Sequence, residues 1–291
     1  MKLDPGLVGK TLAGAARDVS WRQTTNYAAA IGDANPRYLD DTRRGGIVAQ
    51  PLFAAAVTWP VLSQFNLQLG GAIPPQVLPT VVHASEHLQF HRLIQPGDQL
   101  RVGGDVAAVF PGRSGTRVVL RMTVTDAANM PVFTEYACAI CRGVGCDGPG
   151  SGQDDLPDVP RFDEPDSPIW TVDIDVPVQM PFLYDGCSDI SFPIHTSVRF
   201  ARAAGFPNII LQGTATLAMA ARELINREGD GDPGRLNEIA CRFTGVVLPG
   251  NPIRLQLLRK DRSAKRGAQL AFRVLDTAGN PVLRFGYARM E

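Results

Sequence analysis

LQFHRLIQPGDQLRV, residues 88–102, returns later in the chain as IACRFTGVVLPGNPIRL, residues 239–255. Phe90 falls against Phe243 and Pro96-Gly97 against Pro249-Gly250, 153 positions apart in both cases. A second pair follows in the same order. VTDAANMPVF (124–133) matches VLDTAGNPVL (274–283), with Asp126 over Asp276 and Pro131 over Pro281, 150 positions apart. Upstream, IGDANPRYLDD (31–41) matches CSDISFPIHTS (187–197), with Pro36 over Pro193 at 157. Three landmarks in one order, with slowly drifting spacing, mark a duplicated unit. Between the copies runs GVGCDGPGSGQDDLPDVPRFDEPDSP (143–168), rich in Gly and Pro, acidic and without apolar periodicity. Such a stretch cannot pack a core and reads as a linker. The expected domains are therefore 1–142 and 169–291.

Each copy keeps one order of elements. A polar, helix-prone segment holding the Asp…Pro pattern comes first. PLFAAAVTWPVLSQF (51–65) and QGTATLAMAARELINRE (212–228) follow, rich in small residues, as the expected central helices. Then RVVLRMTVTD and VFTEYACAICR alternate at period two around an Ala-Ala-Asn-Met-Pro turn. The second copy repeats this as IRLQLLRKD, AQLAFRVLD, a Thr-Ala-Gly-Asn-Pro turn and VLRFGYARM. One helix followed by an antiparallel meander predicts an α+β layer, the sheet wrapped around its helix.

Composition narrows the function. The 291 residues carry 29 basic and 29 acidic side chains. That balance argues against nucleic acid or a membrane surface as partner. No run approaches the ~20 apolar residues of a membrane span, and MKLDPGLVGK lacks the apolar core of a signal peptide. A cytoplasmic protein is expected. Five cysteines form no disulfide framework, and Cys138 and Cys141, three apart on a strand-like run, point to opposite faces.

YDGCSDISFPIHTSVRFARAAGFPNIILQGTATLAMA (184–220) resembles the signature of the MaoC-like, (R)-specific enoyl-CoA hydratases and dehydratases. NYAAAIGDANPRYLDD and GGIVAQPLFA in the first copy resemble the degenerate partner domain of double-hotdog members. The resemblance implies a double hotdog and a hydro-lyase that adds water to a trans-2-enoyl thioester. Asp189 and His195 are then the catalytic dyad, and the Gly213 N–H polarises the thioester carbonyl. Tyr184, Phe192 and Gln212 would contact substrate, together with Asp33, Asn35 and Tyr38 from a first copy that widens the acyl pocket. No cofactor is implied beyond the CoA thioester itself. An acyl-carrier protein is the other implied donor, and a homodimer is open.

The chemistry of the residues agrees with those roles. Hydration needs a base for water, an acid for the α-carbon and a donor for the enolate-like oxygen. Asp189 and His195 lie six positions apart around a Pro-containing turn, and His195 is the only histidine of the second copy. An imidazole titrates near neutral pH, whereas the phenol at Tyr38 is a poor base there. Gly213 stands where a helix should begin, so its N–H would be an unpaired first-turn donor. The sequence also departs from the family pattern. The Asp-to-His spacing is one residue longer than in the commonest motif. Phe192 stands where Asn precedes Pro, Ser197 where Asp follows His, and Gln212 where His precedes Gly. These departures keep open a thioesterase, lyase or cyclase on the same fold, or an acyl-thioester binding module.

Other clusters point less sharply. His83, His87 and His91 recur every four residues, on one face of either a helix or a strand, but the matched positions Ala240 and Thr244 are not ligands, so no metal site is expected. RKDRSAKRG (259–267) is a basic hairpin tip, and Arg199 and Arg202 are the better phosphate candidates. With zero net charge, a polyanionic CoA must be held by a local basic cluster.

Overall fold

The computed structural model describes residues 1–71, 73–78, 81–162, 165, 167–263 and 267–291. The first copy contains β1 (Lys2–Leu3), β2 (Thr11–Asp18), α1 (Trp21–Ala30), α2 (Pro36–Leu39), α3 (Ala54–Leu62), α4 (Phe65–Gln68), β3 (Val81–Phe90), β4 (Gln99–Gly112), β5 (Gly115–Thr125), β6 (Pro131–Arg142) and β7 (Gly145–Cys146). The second contains β8 (Trp170–Ile174), α5 (Met180–Ser188), α6 (Val198–Ala203), α7 (Gly213–Glu228), β9 (Leu236–Phe243), β10 (Ile253–Ser263), β11 (Gly267–Leu275) and β12 (Pro281–Met290).

One ten-stranded antiparallel sheet runs in the order β2-β4-β5-β6-β3-β9-β12-β11-β10-β8. Each half of it is five strands of one copy in mirrored order. The two meet where β3 pairs with β9, from Ser85 opposite Arg242 to Gln89 opposite Glu238. The fold is α+β, a double hotdog, as expected.

The repeated turns are built alike. Gly97 and Gly250, after matched prolines, take φ +92° and +91°, a left-handed conformation that favours glycine. Asp126 Oδ1 accepts from the N–H of Ala128 (2.9 Å) and Met130 (3.0 Å), and Asp276 Oδ1 from Ala278 (2.9 Å) and Asn280 (2.8 Å). These Asx turns set the strand ends, which explains why the sequence match is strongest there.

α7 is sixteen residues long and buried without a break from Thr214 to Ala221. Six of these eight residues are Ala or Thr, which lets the helix lie close against the sheet. A Cβ on Gly213 would lie 2.9 Å from the ring of Phe243 on β9. The first-copy helix is shorter: α3 ends at Leu62, carries Pro60 and is followed by the separate α4. α1 packs on α5 across the pseudo-two-fold, with the rings of Tyr27 and Tyr184 5.6 Å apart.

The segment expected to pack nothing is instead tied down. β7 pairs in parallel with β1, and Ser151 exchanges two backbone hydrogen bonds with Val109 (3.0 and 2.8 Å). Leu156 packs on Ala108, Val119 and Cys138, and Phe162 stacks on Tyr287. A few apolar side chains spaced through an acidic stretch suffice to fix it across the outer face of the sheet. Cys138 lies in this outer cluster and Cys141 in the main core, on opposite faces as expected.

The histidine series is corrected. Pairing of β3 with β6 shifts between His83 and Ser85, so Ala84 bulges and His83 turns to the face opposite His87. His87 bonds Glu238 (2.7 Å), while His83 rests 4.7 Å from the Phe243 ring and reaches Glu86 Oε2 at 3.1 Å. A four-residue repeat keeps one face only while the ladder is regular. Residues 264–266 of the basic hairpin tip lie outside the described residues.

Candidate active site

α5 leads into the site. Its last turn ends at Ser188, and Asp189 caps it at φ +58°, a left-handed conformation that Asp tolerates. The chain then turns through Phe192 into one 3-10 turn, Pro193–His195. Ser197 caps α6 by accepting from the Phe200 N–H (3.3 Å). That departure from the family pattern is thus a helix cap.

The half-buried His195 is held by one bond, Nδ1 to the Ile210 carbonyl at 2.9 Å. A carbonyl only accepts, so Nδ1 carries the proton and Nε2 is left with its lone pair. Burial lowers the imidazole pKa, and the Ile210 bond and the charge of Asp185 oppose that shift. His195 is neutral at pH 7, with Nε2 ready to take a proton. Two residues after Ile210, the buried Gln212 caps α7, with Nε2 donating to the Pro181 carbonyl (3.1 Å). Gly213 opens α7, and its N–H meets no acceptor among the described residues.

Asp189 is exposed, and no hydrogen bond joins it to His195 among the described residues. Asp185, one helical turn earlier on α5, is a carboxylate whose charge raises the imidazole pKa slightly against the effect of burial. Its Oδ2 is buried and has no hydrogen-bond partner among the described residues, and the same holds for Gln212 Oε1. Two buried acceptors without partners call for donors such as water.

Other expected contacts change role. Tyr184 is fully buried, its hydroxyl 3.0 Å from Thr214 Oγ1 in the first turn of α7 and 3.2 Å from the Tyr27 hydroxyl. It braces the start of α7. Phe192 is exposed, edge-on to Phe200 (5.8 Å) and His195 (6.5 Å), and walls the histidine. Arg199 and Arg202 are exposed on α6. Asp33, Asn35 and Tyr38 are buried. Asn35 donates to the Gly231 carbonyl (2.8 Å), Arg222 donates to the Ile31 carbonyl (2.7 Å), and Arg37 pairs with Asp232 (3.0 Å). This loop clamps the far end of α7, and burial lifts Asp33 to about 6.

The sequence reading missed Asp185 and also a buried acid pair. Glu86 on β3 and Glu135 on β6 face each other beneath Thr58 of α3. Burial pushes Glu86 up to about 8 and also raises Glu135 well above the usual carboxylate range, with Glu86 adding to that, so the pair favours the protonated form. The signal for Asp185 was present. Tyr27 and Tyr184 are 157 positions apart, as are Pro36 and Pro193, and that register sets Asp185 against Ala28 and His195 against Tyr38.

Comparison with known proteins follows the same division. Residues 165–278 match the MaoC like domain, and residues 6–135 match the FAS1-like dehydratase domain region. The chain is 27% identical over 267 residues to 3-hydroxyacyl-thioester dehydratase Y of Mycobacterium tuberculosis, covering 90% of this chain and 89% of that one. It is 25% identical to the enoyl-CoA hydratase ChsH3 of the same organism, over 64% of this chain and 63% of that relative. A MaoC-like dehydratase from Phytophthora capsici superposes with a TM-score of 0.83 at 19% identity, covering 98% of this chain and 97% of the other.

Proposed function

Because the chain belongs to the MaoC-like dehydratase family in its double-hotdog form, we propose that it adds water to a trans-2-enoyl thioester, or removes it from the 3-hydroxyacyl product. The observation that carries this reading is that His195, the unpartnered Asp185 Oδ2 and a Gly213 N–H without an acceptor among the described residues all lie on the one stretch that runs from α5 to the start of α7. The hydratase and dehydratase names of the two mycobacterial relatives support the reaction class.

In the hydration direction, Asp185 Oδ2 accepts one hydrogen of the water and His195 Nε2 takes the other as the oxygen bonds to the β-carbon. The π electrons move toward the thioester oxygen, where the Gly213 N–H and the α7 dipole hold the developing charge. The imidazolium then returns the proton to the α-carbon, restoring His195. The step uses protein groups and water alone, with the thioester of CoA or of a carrier protein as substrate.

The test is loss of the enoyl-thioester absorbance with crotonyl-CoA and longer enoyl-CoAs. Wild type active, with His195→Ala and Asp185→Asn silent, is the expected result. Hydration that survives both substitutions removes the site, and release of free thiol in place of hydration makes the protein a thioesterase.

A further inference from the structure

The outer face of the sheet, remote from His195, carries a second cavity. It encloses about 740 Å³ between strands β5, β6, β3, β9 and the segment 153–161 that crosses them. That volume lies within the ordinary range of small-molecule sites. The crossing segment is anchored on both sides of the cavity, at Ser151 on Val109 and at Phe162 on Tyr287, so the roof is a fixed strap.

Three arginines line this space: Arg117 from β5, Arg242 from β9 and Arg161 from the strap. None forms an ion pair with a described carboxylate, and Arg117 Nε is buried with no acceptor. Asp154 and Asp158 of the strap also line the cavity, yet both are exposed and neither reaches an arginine. The neighbouring charges are already matched, since Glu238 takes His87 at 2.7 Å and Arg289 at 3.3 Å. Burial and the proximity of Arg161 and Arg117 lower the Arg242 pKa, the mark of a cationic cluster left without an anion.

The guanidiniums are also held in place. Arg117 lies over the Phe110 ring (6.0 Å) and Arg242 over the Phe285 ring (5.3 Å). A guanidinium flat on an aromatic face keeps its N–H edges free for an anion. Phe285 sits at φ +51°, a conformation costly for a bulky side chain, inside an irregularity of β12. The next residue must be glycine there, because a Cβ on Gly286 would meet the Phe272 carbonyl at 2.5 Å. Strain that presents an aromatic platform beneath an unpaired arginine is the kind found at binding sites.

We propose that this cavity binds the phosphate group of a small molecule through Arg117, Arg242 and Arg161. The site stands apart from the thioester reading, because the sheet separates it from His195 and Gly213. Phosphate, with several acceptor oxygens and two charges, matches three convergent guanidiniums better than a single carboxylate does. The source is a free phosphorylated metabolite or the nucleotide end of a CoA substrate.

Isothermal titration with inorganic pyrophosphate at fixed ionic strength tests it. Saturable binding of one pyrophosphate per chain is expected, weakened at least tenfold in Arg117→Met and in Arg242→Met. Arg161→Ala, on the exposed strap, keeps the test valid should a sheet variant misfold. Equal binding by all variants, or none by wild type, overturns the site. The KM for enoyl-CoA assigns the source: unchanged in the variants for a free metabolite, raised with kcat constant for the substrate's own phosphates.

Discussion

Two loops of one ancestry now do opposite things. Residues 31–41 in the first copy are folded inward, with Tyr38 and Asp33 buried and Asn35 bonded to the chain after α7. Residues 187–197 in the second turn outward, with Phe192 exposed and His195 half-buried against Ile210. At matched positions, Ala28 stands for Asp185, Tyr38 for His195 and Asn35 for Phe192. The first loop has given up acid and base and become a brace for the helix whose first residue, Gly213, serves the second. Divergence after duplication thus left one loop buried as a support for α7 and its counterpart exposed.

The division is sharpest at His195. His195→Ala should cut hydratase kcat by about 10³-fold and Asp185→Asn by about 10²-fold or more, while Tyr38→Phe leaves it within twofold. A large loss in Tyr38→Phe would break the comparison, since both loops would then be reactive. The next effect is on stability. Glu86 and Glu135 both belong to the first copy, and Ile239 occupies the position matched to Glu86. Glu86 is raised from 4.5 in the unfolded chain to about 8 in the fold, so the fold holds the extra proton. Its stability contribution is complete below pH 4.5 and lost as pH rises toward 8, a change of roughly 3–5 kcal/mol. Glu86→Gln should flatten denaturant midpoints measured from pH 5 to 8. An unchanged slope would mean that the pair is ionised.

A smaller effect tests the brace. Asn35→Ala removes a bond to the Gly231 carbonyl and should cost about 1–2 kcal/mol in chemical denaturation, with kcat unchanged. A fall in kcat at constant stability would assign Asn35 to substrate instead. The smallest change is expected for Asp189→Asn, within a few-fold in kcat, which a steady-state assay resolves from the loss at Asp185.

Much of this was legible in the residues. Pro-Gly and Asp…Asn-Pro turns obey local backbone rules, so they survived duplication in recognisable form and located the strands. Gly213 marked the start of α7 because a side chain there would strike Phe243. What stayed hidden depends on contacts between distant segments. Asp185 and Asp189 are four residues apart at one helix end, yet one is partly buried with an unpartnered oxygen and the other exposed, a difference that packing sets. One bulge at Ala84 reversed the face of His83, which no spacing rule registers. The acid pair joins two strands far apart in sequence, and the strap holds through Leu156 and Phe162 within an otherwise polar stretch.

The seam between β3 and β9 has a consequence for how the molecule comes apart. Five residue pairs, from Ser85–Arg242 to Gln89–Glu238, make the two copies one ladder, and the Tyr27–Tyr184 contact locks them from the helical side. Neither copy has a free inner edge to lose first, so melting should be a single transition shared by both. By the same logic a protease nick in the strap should leave two fragments that stay associated and keep their activity, like a homodimer whose subunits happen to be encoded in tandem.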